Sequence, residues 1–301
     1  MRVALIGLGD IAAKAYLPYL SARAGLTLCL VTRDPVKLAR LGDAHRVGER
    51  YRDLPALLAA GVDAAFVHAA TPAHHAIVGT LLRHDVPVHV DKPLDDSYAG
   101  AAELVELAEA RGVPLMVGFN RRWAPAYREL AGWPDRDLIV LAKHRRGLPD
   151  APRRVVFDDF IHVVDTLRFL AAGSLADLAV TSGLEGGLLR WVAIQARTDA
   201  GAAFGLMHRD TGLTEEVLEV VGRGRRRRVL NLAEVTDQAG ADCVTRRDEW
   251  VPVAVQRGFD KLCESFLEAV AAKRPVSAVD ALETHAMCER ILGQVEAGGG
   301  A

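Results

Sequence analysis

Two parts of the sequence have the residue types and spacing that acid–base chemistry needs. Asp158 and His162 are four residues apart in a segment of helical periodicity, and Asp165 follows three residues later, so an α-helix would place all three on one face. A carboxylate beside an imidazole selects the imidazole tautomer and raises its basicity, which suits a general acid or base near neutral pH. Lys92 follows an apolar strand in a chain where lysine is far rarer than arginine. We therefore predict Lys92, His162 and Asp158 as catalytic residues.

A glycine pattern near the N-terminus has the spacing of a dinucleotide-binding turn. The apolar run Val3–Ile6 leads into the sequence GLGDIA from Gly7 to Ala12, and a helical pattern follows. Gly7 permits the tight turn, Gly9 lets the backbone approach a pyrophosphate, and Ala12 is small enough for close packing of the helix on the strand. The pyrophosphate would lie at the positive end of that helix. The predicted cofactor-binding residues of this turn are Gly7, Gly9, Asp10 and Ile11.

The end of the second strand indicates which dinucleotide is bound. A domain that prefers NAD usually has an acidic residue here, which binds the ribose 2′-hydroxyl. Thr32 stands at that position and Arg33 follows, and a hydroxyl with a guanidinium suits a 2′-phosphate. Asp34 is better explained as a helix N-cap, because Pro35 follows it at the first helical position. The sequence thus favours NADP, with NAD as the alternative, and adds Thr32 and Arg33 to the cofactor-binding residues.

Strands and helices alternate in the first part of the chain. Short apolar runs between turn signals alternate with amphipathic stretches, which predicts an α/β domain with a parallel sheet covered by helices on both faces. The predicted strands are Val3–Ile6, Leu26–Val31, Asp63–His68, Pro87–Val90 and Pro114–Gly118, and the predicted helices are Ile11–Leu20, Pro35–Leu41, His74–His84 and Tyr98–Ala110.

The pattern changes near Asn120, which places the boundary between two domains, residues 1–119 and 120–301. Successive strands separated by turn signals then predict an α+β domain with an open, mainly antiparallel sheet. The predicted strands are Leu138–His144, Leu178–Gly183, Leu189–Thr198, Ala202–His208, Val217–Val221, Arg226–Leu230 and Ala241–Thr245. The predicted helices are Trp123–Leu130, Asp159–Leu170, Phe259–Ala272 and Val279–Val295.

Three further segments make a family resemblance specific. They are His89–Leu94 and Gly118–Arg122, each at the end of a predicted strand, and Asp158–Asp165. Together with the glycine turn, these segments resemble the Gfo/Idh/MocA family of oxidoreductases over nearly the whole chain. The glycine turn and the segment around His162 also resemble a subgroup often described as virulence-factor-like.

The resemblance implies an N-terminal Rossmann domain for the dinucleotide and a C-terminal domain for substrate and oligomer contacts, with the active site between them. It implies that Lys92 touches the nicotinamide ribose region and the reacting oxygen. It also implies that His162 donates or accepts the proton, with Asp158 as its partner. Phe160 stands where many family members have glycine, so we expect a narrower or more apolar pocket beside His162.

Other polar residues follow strand ends on the cofactor side of the predicted sheet. Thr71 and Pro72 precede His74, which either caps and packs its helix or contacts the nicotinamide side. Asn120 and Arg121 follow a later strand, and Asn120 is the preferred cofactor contact. The remaining predicted cofactor-binding residues are Thr71, Pro72, Asp91, Lys92 and Asn120.

Composition excludes several classes of protein. A chain of 301 residues that is 50% hydrophobic can bury a large core, which excludes disorder and fibres. A net charge of −2 gives no global attraction to nucleic acid or membrane, and the run Arg225–Arg228 is better explained as a solvated hairpin or an interface edge. Four cysteines without a C-x-x-C pair, no signal-peptide core and no long apolar stretch predict a cytoplasmic protein outside the membrane. No histidines have metal-ligand spacing, so we predict no metal.

These observations predict an NADP-dependent oxidoreductase that transfers a hydride between nicotinamide and a carbonyl or secondary alcohol. The family resemblance implies that this substrate is a sugar, cyclitol or similar small metabolite. The chain is expected to form a homodimer or homotetramer. The enzyme alternatives are an imine or tetrapyrrole-type reductase and a lyase or epimerase that retains its cofactor. The non-enzyme alternative is a dinucleotide-sensing regulatory protein, and the combination of Lys92, Asp158 and His162 argues against it.

Overall fold

A computed structural model describes residues 1–171 and 175–298, and it divides the chain into two compact units. The first unit comprises Met1–Gly118 with Phe259–Leu282, and the second comprises Phe119–Gly258 with the residues from Glu283 onward. The C-terminal segment Phe259–Leu282 thus packs with the first unit, whereas the sequence suggested a single boundary after residue 119. Within the described residues, no helix is both long enough and apolar enough to cross a membrane.

The strands form two separate sheets. In chain order they are β1 (Arg2–Ile6), β2 (Thr27–Val31), β3 (Glu49–Tyr51), β4 (Ala64–Val67), β5 (Val88–Val90), β6 (Leu115–Val117), β7 (Leu138–His144), β8 (Ala176–Glu185), β9 (Leu188–Arg197), β10 (Ala202–His208), β11 (Glu215–Gly222), β12 (Arg225–Leu230), β13 (Glu234–Gln238) and β14 (Asp242–Arg246). Strands β1 to β6 belong to the first unit and the others to the second.

The α-helices are α1 (Leu17–Ala22), α2 (Pro35–Ala44), α3 (Leu54–Ala60), α4 (His74–Arg83), α5 (Tyr98–Arg111), α6 (Pro125–Ala131), α7 (Pro152–Val155), α8 (Ile161–Leu170), α9 (Val253–Gln256), α10 (Phe259–Ala271) and α11 (Val279–Gly298). Two π-helical segments, Ala12–Tyr16 and Val156–Phe160, lead directly into α1 and α8. Two 3₁₀ turns, Thr71–Ala73 and Asn120–Trp123, follow the ends of β4 and β6.

The first unit is a parallel six-stranded sheet in the order β3-β2-β1-β4-β5-β6. The central strands β1 and β4 are almost completely buried, as apolar strands covered on both faces should be. The predicted parallel sheet is confirmed. The order reverses beside β1, so the carboxyl ends of β1 and β4 border the crevice where such sheets bind ligands.

Two elements of the first unit escaped prediction. Strand β3 has only three residues, Glu-Arg-Tyr, with no apolar alternation, and α3 is a single short helix whose N-cap is Asp53. By contrast, the predicted cap of α2 is confirmed: the Asp34 side chain accepts a hydrogen bond from the Lys37 backbone N–H at 3.0 Å, and Pro35 begins the helix.

Helix α10 packs against the first sheet through its apolar face. The Phe266 ring meets the ring of Phe66 on β4 edge to face, with 5.2 Å between centroids, and Phe259 meets Tyr16 in the same way at 5.2 Å. The backbone N–H of Leu115 on β6 also donates to the Val276 carbonyl at 3.0 Å. These contacts explain why a segment far along the sequence belongs to the first unit.

The second unit is an eight-stranded sheet in the order β14-β13-β12-β11-β7-β10-β9-β8. Every neighbouring pair is antiparallel except β7 and β10, so the predicted mainly antiparallel sheet is confirmed. Strand β13 was missed because the sequence EVTDQ lacks a regular alternation. It pairs with β12, so the run Arg225–Arg228 forms a hairpin strand with two neighbours, and the suggested interface edge is wrong.

One face of this second sheet is covered by α8. A Cβ atom on Gly205 of β10 would lie 2.8 Å from Cγ1 of Val163, which shows how closely the helix approaches the sheet. On the opposite face, Val140, Phe204 and Leu206 are only half-buried and Trp191 is exposed. The expected homodimer or homotetramer stays a prediction, and this face is the surface such an assembly would cover.

Candidate active site

A cleft of about 520 Å³ lies at the carboxyl edge of the first sheet. Its walls come from the residues that follow β1, β2, β3 and β4 and from the start of α4. Four predicted cofactor-binding residues line it, namely Gly7, Gly9, Thr32 and Arg33. The structure thus brings together the two sequence signals, the glycine turn and the end of the second strand, that were used to predict dinucleotide binding.

The two glycines of the turn have different structural roles. Gly7 has φ of +85°, and a Cβ there would lie 2.5 Å from the backbone nitrogen of Ala69, so only glycine fits. A Cβ on Gly9 would meet only the His68 carbonyl oxygen, at 3.9 Å. The fold of the described residues therefore does not require glycine at position 9, whereas a ligand that approaches the backbone closely does. This open backbone fits a pyrophosphate.

A pair of variants separates these roles. We expect Gly7→Ala to lower the Tm of the protein, because the new methyl group collides with the backbone after β4. We expect Gly9→Ala to leave the Tm unchanged and to weaken dinucleotide binding by about tenfold or more, the loss expected when a close backbone contact is blocked. Thermal unfolding and fluorescence titration with NADPH measure the two effects. Equal losses of stability in both variants would contradict this assignment.

Three cations line the part of the cleft beyond the glycine turn. They are Arg33 after β2, Lys37 on α2 and Arg52 after β3. Among the described residues, none of these three side chains has a hydrogen-bond or ion-pair partner. Asp53 also lines the cleft, but its carboxylate caps α3 by accepting from the Ala56 N–H at 2.9 Å. The cleft therefore offers unpaired positive charge, which suits a phosphate group.

The segment that contains Lys92 is held by the side chain before it. Asp91 Oδ1 accepts a hydrogen bond from the Lys92 backbone N–H at 2.9 Å. Burial opposes ionisation of Asp91, but the nearby His68, Lys92 and His89 lower its pKa overall. The ring of His74 bridges the carbonyl oxygens of Ala69 and Pro93, at 2.9 and 2.8 Å, so His74 packs and ties the end of β4 to this segment.

His68 links this segment to the cleft. It is buried, it lines the cleft, and its Nδ1 lies 3.7 Å from Oδ2 of Asp91, which is too long for a hydrogen bond. Neither ring nitrogen of His68 has a hydrogen-bond partner among the described residues. A buried polar group without a partner is rare in proteins. The fully buried ring instead packs on Tyr16, with 3.9 Å between centroids, and lies in electrostatic contact with Asp91, so His68 forms part of the wall of the cleft.

The other predicted cofactor-binding residues lie outside the lining of the cleft. Asp10 forms an exposed ion pair with Lys14 at 2.7 Å, and the side chain of Ile11 is exposed. Thr71 and Pro72 form a 3₁₀ turn directly before Ala73, which does line the cleft. Cofactor contacts by these residues, and by Asp91, Lys92 and Asn120, stay predictions.

In the second unit, the segment around His162 departs from a regular α-helix. Residues Val156–Phe160 form a π-helical turn, in which i and i+5 are paired, and α8 begins only at Ile161. The regular α-helix assumed from Asp158 to His162 thus begins with a π-helical turn, and the two residues stay four apart in one continuous helical segment. Asp158 is half-exposed and its carboxylate lies 3.7 Å from Nε of Arg154. Its role as the partner of His162 stays a prediction.

Asp165 is bound by residues other than the described partner of Asp158. It is buried and bound by both Nε and Nη2 of Arg122, the closest contact being 2.6 Å, and it accepts a further hydrogen bond from Thr284 at 3.1 Å. Burial raises the pKa of Asp165, although Arg122 opposes the shift. Phe160 is fully buried in the core of this unit. The expected narrowing of a pocket beside His162 by Phe160 stays a prediction.

Asp159, which no sequence signal singled out, binds three cations. Its two oxygens accept hydrogen bonds from Lys143, from Arg145 at 2.7 Å and from Arg209. Burial opposes ionisation, but Lys143 and Arg145 hold the pKa of Asp159 far below its usual range. Lys143 lies on β7 and Arg145 directly follows its last residue, so in extended chain the two side chains point to the same side, a spacing that the sequence itself displays.

Asn120 and Arg121 have internal partners in the second unit. The Asn120 amide donates to the Arg257 carbonyl at 2.9 Å. Arg121 forms a buried bidentate pair with Glu216, at 2.8 and 2.6 Å, and Tyr127 donates to the same carboxylate at 3.0 Å. Arg121 therefore positions Glu216 and does not act as a free cation.

Comparison with known proteins agrees with this architecture. Residues 1–119 match the model of an oxidoreductase family with an NAD-binding Rossmann fold, and residues 125–240 match the C-terminal domain of YceM-like proteins. The chain is 36% identical over 279 residues to the YceM protein of Salmonella typhimurium, covering 90% of this chain and 89% of that protein. It is 32% identical to the myo-inositol dehydrogenase Hyg17 of Streptomyces leeuwenhoekii, covering 59% of this chain and 58% of that enzyme.

Solved structures show the same fold. A Gfo/Idh/MocA family oxidoreductase from Vibrio cholerae superposes with a TM-score of 0.90 at 32% identity, covering 98% of this chain and 99% of that one. The dehydrogenase MviM from Clostridium difficile superposes with a TM-score of 0.92 at 28% identity and the same coverage. The glycine turn, the Rossmann sheet and these relatives lead to one conclusion: the chain belongs to the Gfo/Idh/MocA family of NAD(P)-dependent oxidoreductases.

Proposed function

We propose that this protein is an NADP-dependent dehydrogenase that transfers a hydride between nicotinamide and a carbonyl or secondary alcohol carbon of a sugar, cyclitol or similar small metabolite. One observation supports this cofactor: the cleft is lined by the glycine turn, whose backbone is open at Gly9, and by three cations without described partners. Bound NADP supplies the hydride acceptor, and its reduced form supplies the hydride. Similarity to an inositol dehydrogenase and to the D-apiose dehydrogenase of Rhizobium rhizogenes supports the substrate class.

Within this proposal the residues of the chain have separate tasks. Gly7 shapes the turn and Gly9 leaves its backbone open to the pyrophosphate. Arg33, Lys37 and Arg52 bind the 2′-phosphate. Lys92 stabilises negative charge on the substrate oxygen, and His162 gives that oxygen a proton or removes one. Asp158 orients His162, as a carboxylate orients an imidazole in other acid–base pairs.

Cofactor preference tests the 2′-phosphate assignment. We expect wild-type protein to bind NADPH more tightly than NADH, because charge-assisted hydrogen bonds contribute about 1.5–3 kcal/mol, which corresponds to about 10- to 150-fold in affinity. Arg33→Ala should lose most of that preference by weakening NADPH binding alone. Fluorescence titration of both dinucleotides measures it. The control is Arg40→Ala, an exposed arginine on α2 outside the lining of the cleft. Equal affinities in the wild type, or unchanged selectivity in Arg33→Ala, would contradict the assignment.

The activity itself is tested by mixing the protein with NADP and a panel of polyols, or with NADPH and the matching carbonyl compounds, while the absorbance of the reduced nicotinamide is followed. We expect a substrate-dependent change. If the protein binds NADPH but transfers no hydride to or from any compound tested, it would be a sensor and not a dehydrogenase.

A further inference from the structure

Positive charge exceeds negative charge in one cluster of the second unit. The five cations are Arg121, Lys143, Arg145, Arg209 and Arg257, and the two carboxylates are Asp159 and Glu216. The more exposed Arg154 lies next to this cluster with its partners Asp150 and Asp158, and including these three residues still leaves an excess of positive charge. A purely structural network of buried ion pairs should be closer to balance, because uncompensated buried charge is costly.

Arg257 is the unbalanced member of this cluster. Its side chain is half-buried and has no hydrogen-bond or ion-pair partner among the described residues. Glu216 attracts its charge, but burial and the charges of Arg121 and Arg145 together lower the pKa of Arg257. Water solvates part of the charge of this half-buried arginine, and a bound anion would offset the remaining repulsion from Arg121 and Arg145.

The backbone holds Arg257 in this position. The Asn120 amide donates to its carbonyl at 2.9 Å. The next residue, Gly258, has φ of +79°, and a Cβ there would lie 2.4 Å from the backbone nitrogen of Ala124. Residue 258 is therefore restricted to glycine, and the chain on both sides of the Arg257 side chain is fixed. The backbone that carries Arg257 therefore loses little entropy when a ligand binds.

Two other arginines of this cluster have donors that their described partners do not use. Arg145 uses Nε and Nη2 to bind Asp159, and Arg209 uses Nε for the Leu148 carbonyl and Nη1 for Asp159. Nη1 of Arg145 and Nη2 of Arg209 make no hydrogen bond within the described residues. Burial and the charges of Arg121 and Arg145 lower the pKa of Lys143 to about 7, even though Asp159 raises it. The electrostatic environment of this cluster therefore favours an anion.

Taking the proposed dehydrogenase function as its basis, we propose that Arg257, together with Arg145 and Arg209, binds an anionic group of the substrate, a carboxylate or a phosphate. The cluster includes Asp159, which lies in the π-helical turn directly before the helix of His162. The substrate is then an acidic sugar or cyclitol derivative, and a neutral polyol is a poorer one.

The test compares Arg257→Gln with Arg223→Gln, which removes an exposed arginine without a described side-chain partner in the turn between β11 and β12. Without added anion, Arg257→Gln should be at least as stable as Arg223→Gln, because it relieves repulsion from Arg121 and Arg145. If Arg257 had a structural role, Arg257→Gln would instead have a lower Tm than Arg223→Gln. All measurements use protein saturated with NADPH, so that the cofactor cleft does not compete for the anion.

Inorganic phosphate and acetate are the probes, each compared with sodium chloride at equal ionic strength. We expect phosphate or acetate to raise the Tm of the wild type and of Arg223→Gln by mass action. The affinity of Arg257→Gln for the same anion should be lower by about tenfold or more. The probe that stabilises more distinguishes a phosphate from a carboxylate. An equal response of all three proteins, no response to either anion, or a lower Tm of anion-free Arg257→Gln would overturn the proposal. The Tm increase caused by NADPH itself reports cofactor binding separately, so failure of the anion site is distinguishable from failure of the proposed function.

Discussion

Replacing His162 by asparagine lowers kcat by about 10²–10⁴-fold, the loss typical of a general acid or base. Hydride transfer to a carbonyl leaves negative charge on oxygen, and in the proposed mechanism His162 protonates that oxygen. Asparagine keeps a polar side chain of similar size but cannot exchange the proton. NADPH affinity should not change, because His162 lies in the second unit and the cofactor cleft is formed by the first. The measurements are steady-state kinetics and a separate NADPH titration.

The pH profile distinguishes a proton-transfer role from a structural one. Imidazole changes its charge between about pH 5 and 8, so the wild-type rate should vary across that range and the His162→Asn rate should be flatter. Asp158→Asn should keep the fold and lower kcat through the tautomer and orientation of the imidazole. His84→Asn, a histidine on the surface of the first unit, serves as the matched control. Retention of wild-type kcat and pH dependence in His162→Asn would refute the acid–base role.

Replacing Lys92 by methionine lowers kcat by about 10²–10³-fold, as expected when a positive group no longer stabilises charge that develops on oxygen. Methionine keeps an unbranched side chain of similar length and removes the charge. Cofactor binding should be weakened at most and not abolished, since the residues that line the cleft remain in place. Lys261→Met, an exposed lysine that pairs with Glu264 at 2.8 Å, is the control for loss of a lysine charge. An unaltered kcat in Lys92→Met would show that Lys92 does not act on the substrate oxygen.

The double variant tests whether the two residues act on the same atom. If Lys92 stabilises and His162 protonates one oxygen, each substitution removes part of a shared effect. The combined loss in kcat should then be smaller than the product of the two separate losses. If the loss of kcat in the double variant equals the product of the two single losses, Lys92 and His162 act independently.

The sequence predicted most of the first unit because its signals are local. Apolar strands, the glycine turn and the Asp34-Pro35 cap each act through neighbours in the chain, and the sheet and the cap are confirmed. Strand β3 was missed because three polar and aromatic residues carry no alternation. As a result Arg52, which follows β3 and lines the cleft, was missed as well.

The charges of the second unit depend on contacts between residues distant in sequence. Asp159 meets Arg209 across a separation of 50 residues, and Asn120 meets the Arg257 carbonyl across 137. No periodicity in the sequence reveals such pairs. The π-helical turn at Val156–Phe160 likewise has no simple sequence signal, so the sequence suggested a regular α-helix there.

Transfer of deuterium tests the central proposal most directly. The protein is incubated with a metabolite extract and NADPH dideuterated at C4 of the nicotinamide, and the products are examined by mass spectrometry, with the Lys92→Met/His162→Asn double variant as control. We expect a small metabolite to gain one deuterium with the wild type and not with the double variant. NADPH binding without any deuterated product above that control would contradict the proposed dehydrogenase function.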